Sequence, residues 1–158
     1  MGVEEQSQDT VEAYLSALEE SYGSFPINQT TVSVTSTEYQ RERERADVGC
    51  VDLYTKIEND QSEILHIKDG TELALPSART SDETFEYSAV KSVEAATGIS
   101  CQIEHIEQAT ILGVHGAEPD EKAVYRLAVI FVGTPESETP AAEAVWHTTA
   151  KIPDVVAP

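Results

Sequence analysis

Basic residues are scarce in this chain of 158 residues: ten lysines and arginines stand against 29 aspartates and glutamates, a formal net charge of −19. A surface of that sign repels phosphate backbones and anionic lipid headgroups, so nucleic acid and membrane partners are excluded as expectations. Cysteine is nearly absent. Cys50 and Cys101 are the only two, too few for a disulfide framework and too isolated for a metal site, and they read as buried free thiols. The four histidines, His66, His105, His115 and His147, never fall at metal-ligand spacing, and alternate-strand histidines are usually structural. No stretch approaches 18 apolar residues, and the acidic start "MGVEEQSQD" lacks the basic-then-apolar order of a signal peptide, so a cytoplasmic location is the expectation. Serine nucleophile chemistry has no support, because Ser77 does not sit in a G-x-S-x-G elbow.

What remains is a chain with 40% apolar residues, enough to bury one compact core. Its acids are scattered along the whole length rather than gathered in a tail. This pattern resembles the proteins of salt-accumulating halophiles, whose self-repulsion is screened once molar salt shrinks the Debye length to about 3 Å.

Residues 7 to 22, "SQDTVEAYLSALEESY", space Val11, Tyr14, Leu15, Leu18 and Tyr22 by threes and fours, which predicts an amphipathic helix capped at Ser7 or Asp9 and stopped at Gly23. It forms an N-terminal extension, residues 1–27, packed on the domain or on a second subunit, so a homodimer is one expectation. After Pro26, "QTTVSVTST" alternates as a half-exposed strand, and "EYQRERERA" reads as a solvated strand or helix edge. Strands follow in "VGCVDLYTKI", "EILHI" and "ELALP", separated by the turns "ENDQS" and "KDG". A helix is predicted over residues 83 to 97, then strands in "SCQIEHIEQATILGVH", "AVYRLAVIFVG" and "AVWHT". The nearly unbroken apolar run of "AVYRLAVIFVG" marks the central, doubly buried strand. Phe131 and Trp146 read as core and sheet-packing residues. The order predicts a mixed α+β domain over residues 28–158, without the βαβ repetition of a dinucleotide fold.

The pieces "ILHIKDGTELALP", the helix with "TGIS" after it, "AVYRLAVIFVG" and "AEAVWHTTAKIPD" resemble, in order and spacing, a Nudix domain across residues 46 to 154. The Nudix signature is G-x5-E-x7-R-E-U-x-E-E-x-G-U, with U a bulky aliphatic residue. Anchored at Gly98, it puts Ile99 and Val93 on aliphatic positions, Lys91 on the Arg and Glu83 on the first Glu. The first Gly becomes Ser77, the Glu beside the Arg becomes Ser92, and the Glu pair becomes Ala95 and Ala96.

In that family these glutamates hold the divalent cations that bridge a diphosphate. Mg²⁺ and Mn²⁺ require oxygen ligands, and serine or alanine brings no carboxylate. Glu94 lies about 200° around the helix from Ser92, away from that face. Glu86 has its own reason to be in the first turn, where the helix dipole favours an acid. The resemblance therefore implies a non-hydrolytic binder of a nucleotide or similar anionic small molecule, or an interaction module, with no metal cofactor. Arg79 and Lys91 are the bases expected nearest the cleft. The alternative is a divergent hydrolase of nucleoside diphosphate-linked compounds that recruits Mg²⁺ or Mn²⁺ through Glu83 and acids outside the box, such as Glu118, Asp120 and Glu121.

Overall fold

A computed structural model describes residues 2–70, 72–81, 84–137, 139–140 and 144–148. The chain runs α1 (Val3–Tyr22), β1 (Ile27–Ser33), α2 (Ser36–Asp47), β2 (Val51–Ile57), β3 (Ile64–Asp69), β4 (Glu72–Ala74), β5 (Ser77–Thr80), α3 (Phe85–Thr97), β6 (Cys101–His115), β7 (Val124–Pro135) and β8 (Ala144–His147). Five strands form a mixed sheet in the order β1-β6-β7-β2-β5, and three form a smaller sheet in the order β4-β3-β8. β1 pairs parallel with β6 and β2 parallel with β7, whereas β6 and β7 form an antiparallel pair. This is the α+β architecture that the sequence implies, with β7 in the middle of the large sheet.

Successive strand residues face opposite sides, so β7 serves two layers at once. Leu127, Val129 and Phe131 face α1 and α3, where they join Val11, Leu15, Leu18, Phe85 and Ala89 in one core. Burying each aliphatic side chain there contributes about 1.5–3 kcal/mol. The alternate residues, Val124 and Arg126, face α2, which adds Tyr39 and Ala46. The smaller sheet meets α3 through Ile57, Leu65, Val93, Ile99, Cys101 and Ala144.

The amphipathic stripe of α1 is thus buried in its own chain, in the same core as the sheet. Neither expected cap acts at its start: α1 begins at Val3 after Gly2, with no side-chain cap. Ser7, 3% exposed, instead donates to the Glu4 carbonyl and accepts from the Tyr125 amide, fastening α1 to the start of β7. Gly23 ends the helix at φ 77°, as its position suggests.

"EYQRERERA" lies in a helix, the second of the two alternatives that its charges left open. Thr35, assigned from sequence to the preceding strand, is the cap: its Oγ1 accepts from the Glu38 amide. Arg41 pairs with Glu38 and Arg45 with Glu42 one turn apart, which supports a helix whose inner side offers little apolar surface. Cys101 is buried, but Cys50 is only half-buried, a correction to the expectation of two buried thiols; both are free. Phe131 is fully buried and Trp146 packs at the edge of the smaller core.

Candidate functional site

The helix α3 carries the Nudix-like pattern and presents it in regular register. Phe85, Ala89, Val93 and Thr97 recur every four residues and form the buried stripe. Gly98 takes φ 75°, a left-handed conformation that a side chain would strain, and its amide closes the helix on the Glu94 carbonyl. Ile99, which follows, is fully buried. Val93, Gly98 and Ile99 therefore do structurally what their pattern positions require.

The neighbouring stripe of α3 holds the positions that lack acids. Ser88, Ser92 and Ala96 are half-buried beside the core stripe, and Ala95 is exposed. Ser92 Oγ donates to the Ala89 carbonyl at 2.8 Å, so its hydroxyl is engaged within the helix itself. This donor set does not fit a Mg²⁺ or Mn²⁺ ion: a hydroxyl and methyl groups supply neither the charge nor the oxygens a hard cation needs. Among the described residues no group of three or more His, Cys, Asp or Glu side chains is placed to hold a metal. Glu83, the acid that the resemblance sets on the first Glu of the signature, lies outside the described residues. Glu94 accepts from Ser100 Oγ at the exposed end of the helix, and Glu86 accepts from Tyr22 at 2.6 Å, a structural contact between α3 and α1.

The two bases expected beside one cleft are separated by the fold. Arg79 belongs to the strand β5, and its Nε donates to Asp52 at 2.7 Å. Lys91 lies on the outer side of α3, 4.0 Å from Glu94 and 5.7 Å from the Tyr87 ring centre. Ala78 packs with the core under α1 and α3, so by strand alternation Ser77 and Arg79 face the opposite side of the sheet. Of the loop acids, Glu121 has a local duty, since its Oε1 accepts from Ser36 Oγ and from the Glu118 amide.

What the fold does bring together is a chain of charges on the α2 side of the sheet. Arg126 is 3% exposed in the middle of β7. Its Nη1 donates to Glu42 of α2 at 2.8 Å and its Nη2 to Asp52 of β2 at 2.9 Å. Arg45 then binds the other oxygen of Glu42 at 2.9 Å, while Arg79 shares Asp52. Burial alone would lower the Arg126 pKa, but the charges of Asp52 and Glu42 and their hydrogen bonds outweigh it and raise it. The adjacent Tyr54 is shifted up by burial and by the Asp52 carboxylate, against the pull of Arg79 and Arg126. Among the described residues Arg126 Nε has no hydrogen-bond partner. The result is a fixed electrostatic line ending at Arg79, whose side chain is 46% exposed. Arg126 was visible in the sequence as the one charge interrupting an apolar strand, and a lone charge in a central strand must find partners.

No protein-family model matches the chain, and no curated protein matches it. Solved structures do resemble it. A provisionally named oxidoreductase from Sinorhizobium meliloti 1021 shares 14% identity over 71% of this chain, with a TM-score of 0.45. A NUDIX hydrolase from Nitrosomonas europaea shares 14% identity over 66% of this chain, with a TM-score of 0.47. The chain spans only 35% of the first of these and 60% of the second. The NUDIX domain of Shewanella oneidensis NrtR, crystallised with ADP ribose, shares 11% identity over 72% of this chain and 83% of that one, with a TM-score of 0.43. These are likenesses of architecture and assign no activity. Among the described residues no helix is long and apolar enough to cross a membrane.

Proposed function

We propose that this chain is a Nudix-fold protein whose box helix has lost its metal-holding carboxylates, and that it binds a nucleotide-like anionic small molecule without hydrolysing it. The observation that carries this reading is α3 itself. The positions that shape the helix end, Val93, Gly98 and Ile99, have the required side chains and geometry, whereas the positions that would hold metal are Ser92, Ala95 and Ala96. Scaffold and chemistry have separated along one helix.

Arg79 is the cation that such a ligand meets. It stands half exposed on β5, just before the segment that enters α3, and Asp52 holds it in place. A phosphate there competes with Asp52 for the guanidinium, a planar fork suited to two oxygens at once. Asp52 then retains Arg126, so ligand binding strands no carboxylate.

The test is hydrolysis of a panel of nucleoside diphosphate derivatives in molar KCl, with Mg²⁺ and with Mn²⁺. The natural chain is expected to be silent, while its melting temperature rises with at least one compound and Arg79→Gln abolishes that rise. Metal-dependent turnover by the natural chain would overturn the proposal.

A further inference from the structure

The sheet protects its edges unequally. Among the described residues, β5, β4 and β8 are edge strands of four, three and four residues, and β5 and β4 carry Arg79 and Glu72. Shortness and charge are the usual means by which an edge avoids pairing with a foreign strand. β1 has neither. It runs seven residues, Ile27–Ser33, in unbroken register with β6, and "INQTTVS" holds no charge and no proline.

The neutrality extends beyond the strand. Residues 23 to 37 contain no Asp, Glu, Lys or Arg, in a chain where these make up 25% of positions and every other uncharged run is shorter. α1 and α2 pack chiefly over β6 and β7, and β1 lies at the margin of the sheet, where Val32 joins the cluster under α2 and Ile27 is 44% exposed.

Backbone parity tells which groups await a partner. The Pro26 carbonyl accepts from Ala109 and the Val34 amide donates to His115, so even-numbered residues of β1 turn their backbone toward β6. Ile27, Gln29, Thr31 and Ser33 turn theirs outward, each with one N–H and one C=O. No described strand pairs with them.

We propose that β1 is a self-association edge: two copies of this chain pair β1 with β1, antiparallel, about a two-fold axis at Thr30. This register sets Ile27 opposite Ser33 and Gln29 opposite Thr31 of the other copy, so all four outward residues meet in hydrogen-bonded pairs. An isologous contact of this kind closes after two copies and cannot propagate into a fibre. A second copy fits this edge because its own β1 is equally uncharged, while the acidic bodies are held apart at the two ends of the joint. Glu4, which lies beside Ser33 at one end, does not face its counterpart at the other. Two bodies of −19 still repel, so association strengthens as salt screens them.

The test is sedimentation of the full chain at 0.1 and at about 2 M KCl, with backbone hydrogen exchange in the same buffers. Twice the 17.2 kDa mass is expected at high salt, with slowed exchange at Ile27, Gln29, Thr31 and Ser33. Thr31→Glu brings a like charge to both sides of the joint and is expected to return the monomer without changing the circular dichroism spectrum. The double variant Gln29→Lys, Thr31→Glu puts opposite charges across the same pair and is expected to restore the dimer. A monomer at both salts overturns the proposal, as does a dimer whose mass is unmoved by Thr31→Glu or whose four outward amides exchange freely.

Discussion

Arg126 of β7 donates to Asp52 of β2 at 2.9 Å, joining adjacent parallel strands through a guanidinium that is 3% exposed. The pair is one link of a line from Arg45 through Glu42, Arg126 and Asp52 to Arg79. Removing either acid leaves the buried guanidinium with one carboxylate in place of two, whereas removing the arginine leaves each acid with its outer partner, Arg45 or Arg79. Glu42→Gln and Asp52→Asn are therefore expected to lower stability by about 1.5–3 kcal/mol each, and Arg126→Met by less than either. Urea denaturation of the three variants checks the order; Arg126→Met as the most damaging would contradict it.

The two thiols should separate by reactivity and by pH. Burial, with the charges of Glu136 and Glu94 adding to it, pushes the Cys101 thiol up to about 11 from an ordinary 9.0. A thiol whose folded pKa is raised stabilises the fold fully below its unfolded value and loses that contribution as pH climbs toward the folded one. Stability is expected to fall between about pH 9 and pH 11, and to fall less in Cys101→Ala. At pH 8 an alkylating reagent should modify Cys50 first, since it is half-buried and Cys101 is buried. Peptide mass mapping over time reads the order directly.

Gly133 permits the close crossing of β7 and β6. A Cβ there would collide with the Gln102 carbonyl oxygen, a backbone atom that cannot swing aside, next to the register shift at Ile103 and His105. Gly133→Ala is expected to cost about 3 kcal/mol, the upper range for overpacking. Thermal unfolding beside Gly2→Ala, where an added Cβ meets nothing within 4 Å, gives the comparison.

The N-terminal helix is held by packing more than by polar contacts. Leu15→Ala opens a cavity in the core shared by α1 and the sheet and is expected to cost about 2–5 kcal/mol. Tyr22→Phe removes only the exposed hydrogen bond to Glu86 and should cost roughly 1 kcal/mol. Equal losses in chemical denaturation would mean that α1 is attached through its C-terminal end alone.

Local pattern was sufficient wherever periodicity and a stop signal agreed. The stripe of α1 ending at Gly23, the helix ending at Gly98, and the long apolar run of β7 were legible because burial imposes a period of 3.6 or an unbroken apolar face, and a left-handed glycine ends a helix. α2 was harder to read because its residues are nearly all polar, and only the cap at Thr35 and the one-turn ion pairs distinguish it from a solvated strand. β5 was hidden because four residues carry no periodic signal; its existence depends on pairing with β2.

The candidate site divides in the same way. That Ser92, Ala95 and Ala96 bring no carboxylate was written in the residue types, which no folding can alter. That Arg79 and Lys91 lie on opposite sides of the sheet, and that Arg79 joins Asp52, Arg126 and Glu42, was decided only in three dimensions, because residues 27 to 84 positions apart meet through strand order and helix packing. Chemistry available to a side chain is a property of the residue; which partner it meets is a property of the sheet.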